Sequence, residues 1–400
     1  MALSPVSGLL GILALHLGDP NDPAIEPALA ALEAWAFDDE QGGYRLTGAR
    51  SQTWDTAFAL SALVAARHAP PKGAVRYLAD QQIPAPFPRY EWADRLDPTG
   101  GFCFAHREHG WPVSDCTAEA LVALFETHAE VDEEAFHEGV RFLLRCQNRD
   151  GSFGSYEARR TEVPLEALNP SEMFLDCMTE GSYVECTASC IAALALHVER
   201  FPVHRLTGQV RSALRRATTS LLRSQRPDGS WKAAWGVSFI YGTLFGIRGL
   251  RAAGLGPDDP AVERAVRFLL NRQRPDGGFG EHHSGALLGR FVALPEGQVV
   301  QTAWALLALL DSGASETDRA IDRAARFIVE RQEPSGGWPK ERMSGVFFGT
   351  ALVDYDLYRF YFPVWALGLY QRHLERTRSP VGAERARALP DARERRNRVS

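Results

Sequence analysis

The sequence predicts an all-α chain folded as an α6/α6 barrel, an inner ring of six apolar helices inside an outer ring of six amphipathic ones. Three observations predict it: a turn motif that recurs along the chain, an amphipathic segment before each copy, and an apolar segment rich in small residues after it. Four copies are plain: Gln147-Asn-Arg-Asp-Gly-Ser-Phe153, Gln225-Arg-Pro-Asp-Gly-Ser-Trp231, Gln273-Arg-Pro-Asp-Gly-Gly-Phe279 and Gln332-Glu-Pro-Ser-Gly-Gly-Trp338. Weaker copies end at Tyr44 and Phe102. Their spacing of roughly 50 to 80 residues suits an array of helical hairpins.

The outer helices are segments such as Ala265-Val-Arg-Phe-Leu-Leu270, whose apolar residues recur at helical spacing. Pro-Asp-Gly then stops the helix and turns the chain. The inner helices are expected over Trp54 to Ala66, Asp115 to Thr127, Val184 to His197, Val237 to Ala253, Val299 to Leu310 and Pro363 to Tyr370. Each motif Gln is expected to stack on the aromatic ring of its own turn and so pin neighbouring hairpins together.

One repeating unit implies one domain, over residues 1–377. From Arg378 to Ser400 the pattern stops, and seven arginines (Arg378, Arg385, Arg387, Arg393, Arg395, Arg396, Arg398) mark a solvated tail or a segment drawn to an anionic membrane surface. A net charge of -6 gives no basic face for nucleic acid. The apolar run Gly8 to Leu17 lacks a basic leader and a cleavage site, so no secretion signal is expected, and no apolar run reaches the roughly 18 to 20 residues of a membrane span. Membrane contact, if any, is peripheral. The six cysteines lack paired metal spacing and disulfide density, which fits a reduced, cytoplasmic protein.

The chemistry-bearing stretch is His109-Gly-Trp-Pro-Val-Ser-Asp-Cys-Thr-Ala-Glu119. A helix starting at Ser114 puts Asp115 and Glu119, four residues apart, on one face, where they can exchange protons directly or through water. The alternative is a capping box at Ser114, with Asp115 only favourable in the first turn.

Asp115-Cys-Thr-Ala-Glu119 resembles the signature of oxidosqualene cyclases. Other stretches resemble that family in the same order: Ser51-Gln-Thr-Trp-Asp-Thr-Ala-Phe58, Asn169-Pro-Ser-Glu-Met-Phe174, Tyr183-Val-Glu-Cys-Thr187, Trp235 to Thr243, Gln301 to Leu307, Gly345-Val-Phe347 and Phe362 to Gly368. The resemblance is to the C-terminal half of such cyclases and runs from about residue 5 to residue 375. It implies a terpenoid-cyclase toroid and a role for each matching residue. Asp115 would be the Brønsted acid, Cys116 and Cys186 its hydrogen-bond partners, and Glu119 the residue that returns the proton through water. Trp54, Phe104, Tyr156, Phe174, Trp235 and Phe347 would line the cavity and stabilise carbocations through their ring faces.

Three departures stand out. Leu244 replaces a usual Trp, Cys177 sits near the family's hydrophobic entrance where an aliphatic residue is common, and the N-terminal half of a two-domain cyclase has no counterpart. The resemblance implies a class II terpene cyclase acting on an epoxidised or unsaturated linear isoprenoid or prenylated substrate, with no cofactor and no metal. His282 and His283 are expected to point apart. The alternatives are a prenyltransferase-like enzyme, which would need a zinc site of Asp, Cys and His, and a non-catalytic isoprenoid-binding half completed by a homodimer mate or a separately encoded partner. The Pro84 to Pro98 segment is expected to be a loop over an open barrel mouth.

Overall fold

The computed structural model describes residues 5–378 except 34, 40–42, 87–89, 128–131 and 171–176. Phe174 and nearly all of the Arg-rich tail thus lie outside the described residues. Two helices, α1 (Pro5–Gly18) and α2 (Ile25–Glu33), and the hairpin of β1 (Ala36–Asp39) with β2 (Gly43–Leu46) come first. Inner and outer helices then alternate: α3 (Gln52–Ala65) inside, α4 (Lys72–Asp80) outside, α5 (Ser114–Glu126) inside, α6 (Glu133–Cys146) outside, α7 (Val184–Arg200) inside and α8 (Thr207–Ser224) outside. The order continues with α9 (Ser238–Ala252) inside, α10 (Pro260–Leu270) outside, the short α11 (Ser284–Leu288), α12 (Val299–Ser312) inside, α13 (Asp318–Glu330) outside and α14 (Tyr358–Arg378) inside.

Each inner helix packs on the next, and α14 packs on α3, so six staves close a ring. Three small antiparallel hairpins sit where chains enter the staves: β3 (Phe102–Cys103) with β4 (Pro112–Val113), β5 (Phe279–Glu281) with β6 (Ala293–Gln298), and β7 (Gly345–Phe347) with β8 (Ala351–Val353). The inner helices are buried nearly all round, as an apolar composition demands, whereas α4, α6, α8, α10 and α13 bury one stripe and bridge two staves each. The last stave starts earlier than expected. α14 begins at Tyr358 and carries Pro363 inside it, because Tyr358, Tyr361, Phe362 and Trp365 all pack into the core and outweigh one missing N–H bond.

The motif Gln pins the hairpins by hydrogen bonding. Gln82 Nε2 reaches the carbonyls of Gly100 (2.9 Å) and of Ala135 on α6 (2.7 Å). Gln147, Gln225 and Gln273 repeat this, bonding their own turn glycine and then Ala213, Ala261 and Ala320 on the next outer helix, at 2.8 to 3.0 Å. A primary amide has two N–H donors, and here both find carbonyls. The turn must press against that helix. Gly229 has φ 91°, and a Cβ there would lie 2.2 Å from the carbonyl oxygen of Arg264.

The copy ending at Trp338 differs. Gln332 bonds only its own Gly336 carbonyl (2.8 Å) among the described residues, and the space in front of Gly336 is open. By sequence the sixth outer helix is α2, since Asp22-Pro-Ala-Ile-Glu-Pro-Ala28 parallels Asp259-Pro-Ala-Val-Glu-Arg-Ala265. Asp22 caps Ala24 N–H as Asp259 caps Ala261 N–H, both at 2.8 Å. In the structure α2 lies against α1 instead of covering Gly336.

Candidate active site

Asp115 stands in the first turn of α5, where β4 delivers the chain into the barrel. The capping box does not form. Ser114 Oγ donates to the Gly154 carbonyl at 2.6 Å and Thr117 Oγ1 to the Val113 carbonyl at 2.7 Å, so these hydroxyls anchor the helix start to its surroundings. Asp115 is 3% exposed, and its Oδ1 accepts the Cys116 N–H at 2.8 Å. Burial pushes its pKa up to about 6. Hydrogen bonds from the Cys116 backbone and from the Cys116 and Cys186 thiols pull it down, and the nearby Glu119 pushes it up. The structure therefore brings Asp115, Cys116, Cys186 and Glu119 together, with the two thiols on the acid.

Glu119 lies one turn deeper and is buried. Ser189 Oγ on α7 donates to its Oε1 at 2.6 Å, and Arg248 Nη1 on α9 lies 3.4 Å from the same oxygen. Arg248 also faces Asp311 of α12 at 3.9 Å. Further along α5, Glu126 accepts from Ser61 Oγ of α3 at 2.9 Å. Burial raises the pKa of Glu126, and it raises that of Asp311 to about 6. Residues 115, 119 and 126 share one face of α5, so acids and their partners form a polar column down the barrel axis.

The ring residues singled out by sequence fall into aromatic clusters. Trp54 is buried, donates Nε1–H to Tyr358 Oη at 2.9 Å and lies 6.3 Å from Phe104 by ring centroids. Trp235 and Phe347 face each other at 5.1 Å, with Phe348 at 5.4 Å from Trp235. Tyr156 packs on Trp111 at 4.8 Å, and its charge couples to Asp115. Sequence reading missed Tyr355, stacked on Tyr358 at 4.4 Å and electrostatically coupled to Asp115, and Tyr241, 4.5 Å from Trp304.

Buried glutamates hold the loops that carry these rings. Glu185 Oε1 accepts N–H bonds from Ala234 (2.7 Å) and Trp235 (2.8 Å), and Glu180 accepts from Ser155 (2.9 Å) and Tyr156 (2.8 Å). Glu281 accepts from Phe239 and Ile240 at 3.0 Å, capping α9 from the neighbouring hairpin. Burial lifts Glu185 and Glu281 to about 7. Asp55, in the motif around Trp54, accepts from Ser51 (2.6 Å) and Tyr361 (2.9 Å), and burial raises it to about 6.

Leu244 is buried on α9. Gly242 and Gly246 on the same helix press against Trp231, and Gly249 against Leu221, so that face meets the outer layer and Leu244 shares the inward face of Tyr241 and Arg248. Cys177 is exposed on the loop before α7, near Asn169, apart from the buried cluster. Among the described residues of Pro84 to Pro98, residues 90–93 form a short 3-10 turn, and Arg95 lies 3.9 Å above the Trp111 ring while pairing with Glu157 at 3.3 Å. His282 and His283 do not point apart. Their rings lie 4.1 Å from each other, because the chain turns sharply out of β5 there.

Residues 50–372 match the model of the squalene-hopene cyclase C-terminal domain. Lanosterol synthase from Homo sapiens is 38% identical over 392 residues, 93% of this chain and 53% of the relative, and cycloartenol synthase from Dictyostelium discoideum is 34% identical over 92% and 54%. The chain thus spans about half the length of the curated relatives it matches. Among solved structures, ent-copalyl diphosphate synthase from Streptomyces platensis superposes with a TM-score of 0.59 at 21% identity, covering 88% of this chain and 55% of that one. The type II terpene cyclase MstE from Scytonema gives 0.54 at 20% identity, covering 85% and 95%. Those two likenesses establish the helical toroid. On the family match over most of its length, the chain belongs to the squalene-hopene cyclase C-terminal domain family.

Proposed function

We propose that this chain is a class II terpene cyclase, in which Asp115 protonates an epoxide or, failing that, a terminal alkene of a linear isoprenoid or prenylated compound. The observation that carries the reading is Asp115 itself, a buried carboxyl with a pKa of about 6 held by two thiols at the edge of an aromatic box. A carboxyl so placed keeps its proton far better than one in water, and gives it to a weakly basic oxygen when the substrate excludes water. Protonation breaks the epoxide C–O bond, and the tertiary cation is captured by the next alkene, ring after ring. Trp54, Phe104, Trp235 and Phe347 present ring faces that stabilise each cation without offering a lone pair. Tyr156 and Leu244 complete the set proposed to meet the substrate, while Phe174 lies outside the described residues and Cys177 is exposed away from the acid.

Proton loss or capture by water ends the cascade. Asp115 is then reloaded through Glu119, which Ser189 and Arg248 hold in place. Human lanosterol synthase matches this chain over 53% of its own length, so its substrate length and ring count are not carried over to this chain. Supporting peripheral membrane contact, α1 exposes Leu9, Leu10, Leu13 and Leu17, a face from which an apolar substrate can be loaded. Among the described residues no helix is long and apolar enough to cross a membrane.

The test is incubation of pure protein with epoxy-isoprenoids from farnesyl size to squalene size, with products identified by mass spectrometry. Cyclic product from at least one substrate is expected. Binding without cyclisation across the whole panel would move the chain to the non-catalytic, partner-completed class.

A further inference from the structure

Three histidines that no motif singles out come together at the other end of α7. His137 sits on α6, His197 in the last turn of α7, and His204 in the connection that leads to α8. Glu185 and His197 are twelve residues apart on one helix, which places the cluster on the order of 18 Å along the barrel from the acid end. The His137 and His204 rings are stacked at 3.8 Å, and His197 stands edge-on at 5.2 Å from the first and 5.7 Å from the second. One ring nitrogen from each lies within 4.8 Å of the others.

His197 is fully buried and His137 nearly so. Neither ring nitrogen of His197 has a hydrogen-bond partner, nor does Nδ1 of His137. The contact to His204 is a long 3.4 Å hydrogen bond from Leu206 N–H to Nδ1. Buried polar nitrogens are normally paired, so the unpaired nitrogens on His197 and His137, with a nitrogen of each ring and one of His204 within 4.8 Å of one another, ask for a shared partner. Phe136 and Phe201 wall the cluster on the protein side, while His204 keeps one side half-open to solvent. The charged groups around the cluster are Glu133, Glu134 and the arginines Arg141 and Arg205 that pair with Glu134.

We propose that His137, His197 and His204 form a structural site for one divalent cation of the zinc class, tying α6 to the α7–α8 connection. Neutral imidazoles are the ligands such ions prefer, and His137 and His197 offer unpaired ring nitrogens. A tetrahedral ion with Zn–N bonds of 2.0 to 2.1 Å needs nitrogens about 3.4 Å apart. Binding requires the stacked rings of His137 and His204 to turn so that a nitrogen of each faces the ion, a movement that the short connection carrying His204 allows, and the fourth position falls to water from the open side. The site is remote from Asp115 and needs no part in the proposed cyclisation.

Chelator-stripped full-length protein titrated with Zn2+ by calorimetry, and with Co2+ by visible absorption, tests this. One equivalent with a tetrahedral Co2+ spectrum is expected, together with a rise in melting temperature on adding Zn2+. His204→Ala, on a half-buried connection, should weaken binding at least tenfold and abolish the thermal shift, and His137→Gln should do the same if it folds. His283→Ala should bind as the parent does. No bound equivalent in the parent, or an equivalent that His204→Ala retains with unchanged affinity, overturns the proposal.

Discussion

Ser189 donates a 2.6 Å hydrogen bond to Glu119 across the gap between two neighbouring staves. Arg248 approaches the same oxygen from a third stave, so α5, α7 and α9 meet on one carboxylate. Ser189→Ala leaves that buried carboxylate short of one donor, which costs about 1 to 3 kcal/mol. If Glu119 reloads Asp115, turnover should fall roughly tenfold with KM unchanged. Ser189→Thr keeps the hydroxyl and should restore both melting temperature and rate. A Ser189→Ala enzyme with normal turnover would detach Glu119 from the proton path.

The acid should be visible in the pH profile. With Asp115 at about 6, cyclisation should be maximal below that pH and fall about tenfold per unit above it. Cys186→Ala removes a bond that stabilises the carboxylate, so the falling limb should move to higher pH. Stability follows the opposite group logic from an ordinary salt-bridged Asp. The folded pKa lies above the unfolded one, so the native state holds the extra proton between about pH 4 and 6, and stability declines as pH rises through that window. Melting curves should show Asp115→Asn gaining on the parent as pH climbs from 4 to 7, by up to about 3 kcal/mol. A flat difference would mean that Asp115 is not desolvated.

Leu244 places an aliphatic side chain on the inward face of α9, where the family resemblance implies a Trp. Each aromatic face contributes about 0.5 to 2 kcal/mol to a nearby cation, enough to decide where charge rests. Products of one to three rings are expected. Leu244→Trp should extend the cascade or block binding by bulk, and gas chromatography with mass spectrometry distinguishes the two. Unchanged products with unchanged KM would show that this position does not touch substrate.

Gln225 and Gln332 occupy the same place in their repeats, yet one bridges two carbonyls and the other bonds only its own turn. Gln225→Ala should lower unfolding free energy by about 1 to 3 kcal/mol. Gln332→Ala should stay within about 0.5 kcal/mol, as exposed substitutions do. Equal losses in denaturant titrations would mean that the seam at Gly336 is covered in solution.

The ring of staves was legible because each repeat announces its helix pair by pattern, and the acid because Asp115, Cys116 and Glu119 are neighbours on one helix start. Cys186 came only through family resemblance. Ser189, Asp311 and Tyr355 were not legible, since each is a single ordinary residue made functional by packing against another stave. Arg248 could have been found: it is the one charge in the otherwise uncharged run Phe239 to Leu250 and so had to meet a buried partner. The histidine cluster left no signal, because its members lie on two helices and a connection. The capping-box alternative failed because the N-cap is Val113 and Ser114, already in the first turn, donates its hydroxyl to the Gly154 carbonyl.

The most direct measurement is the rate of cyclic product formation by Asp115→Asn on whichever substrate the parent accepts, with folding checked by circular dichroism and melting. The side chain keeps its shape but has no carboxyl proton to give. Product formation should drop by at least about a thousandfold, equivalent to about 4 kcal/mol in the barrier, while Cys186→Ala gives the same products some 5- to 100-fold more slowly. A folded Asp115→Asn protein that cyclises at near the parent rate would contradict the account.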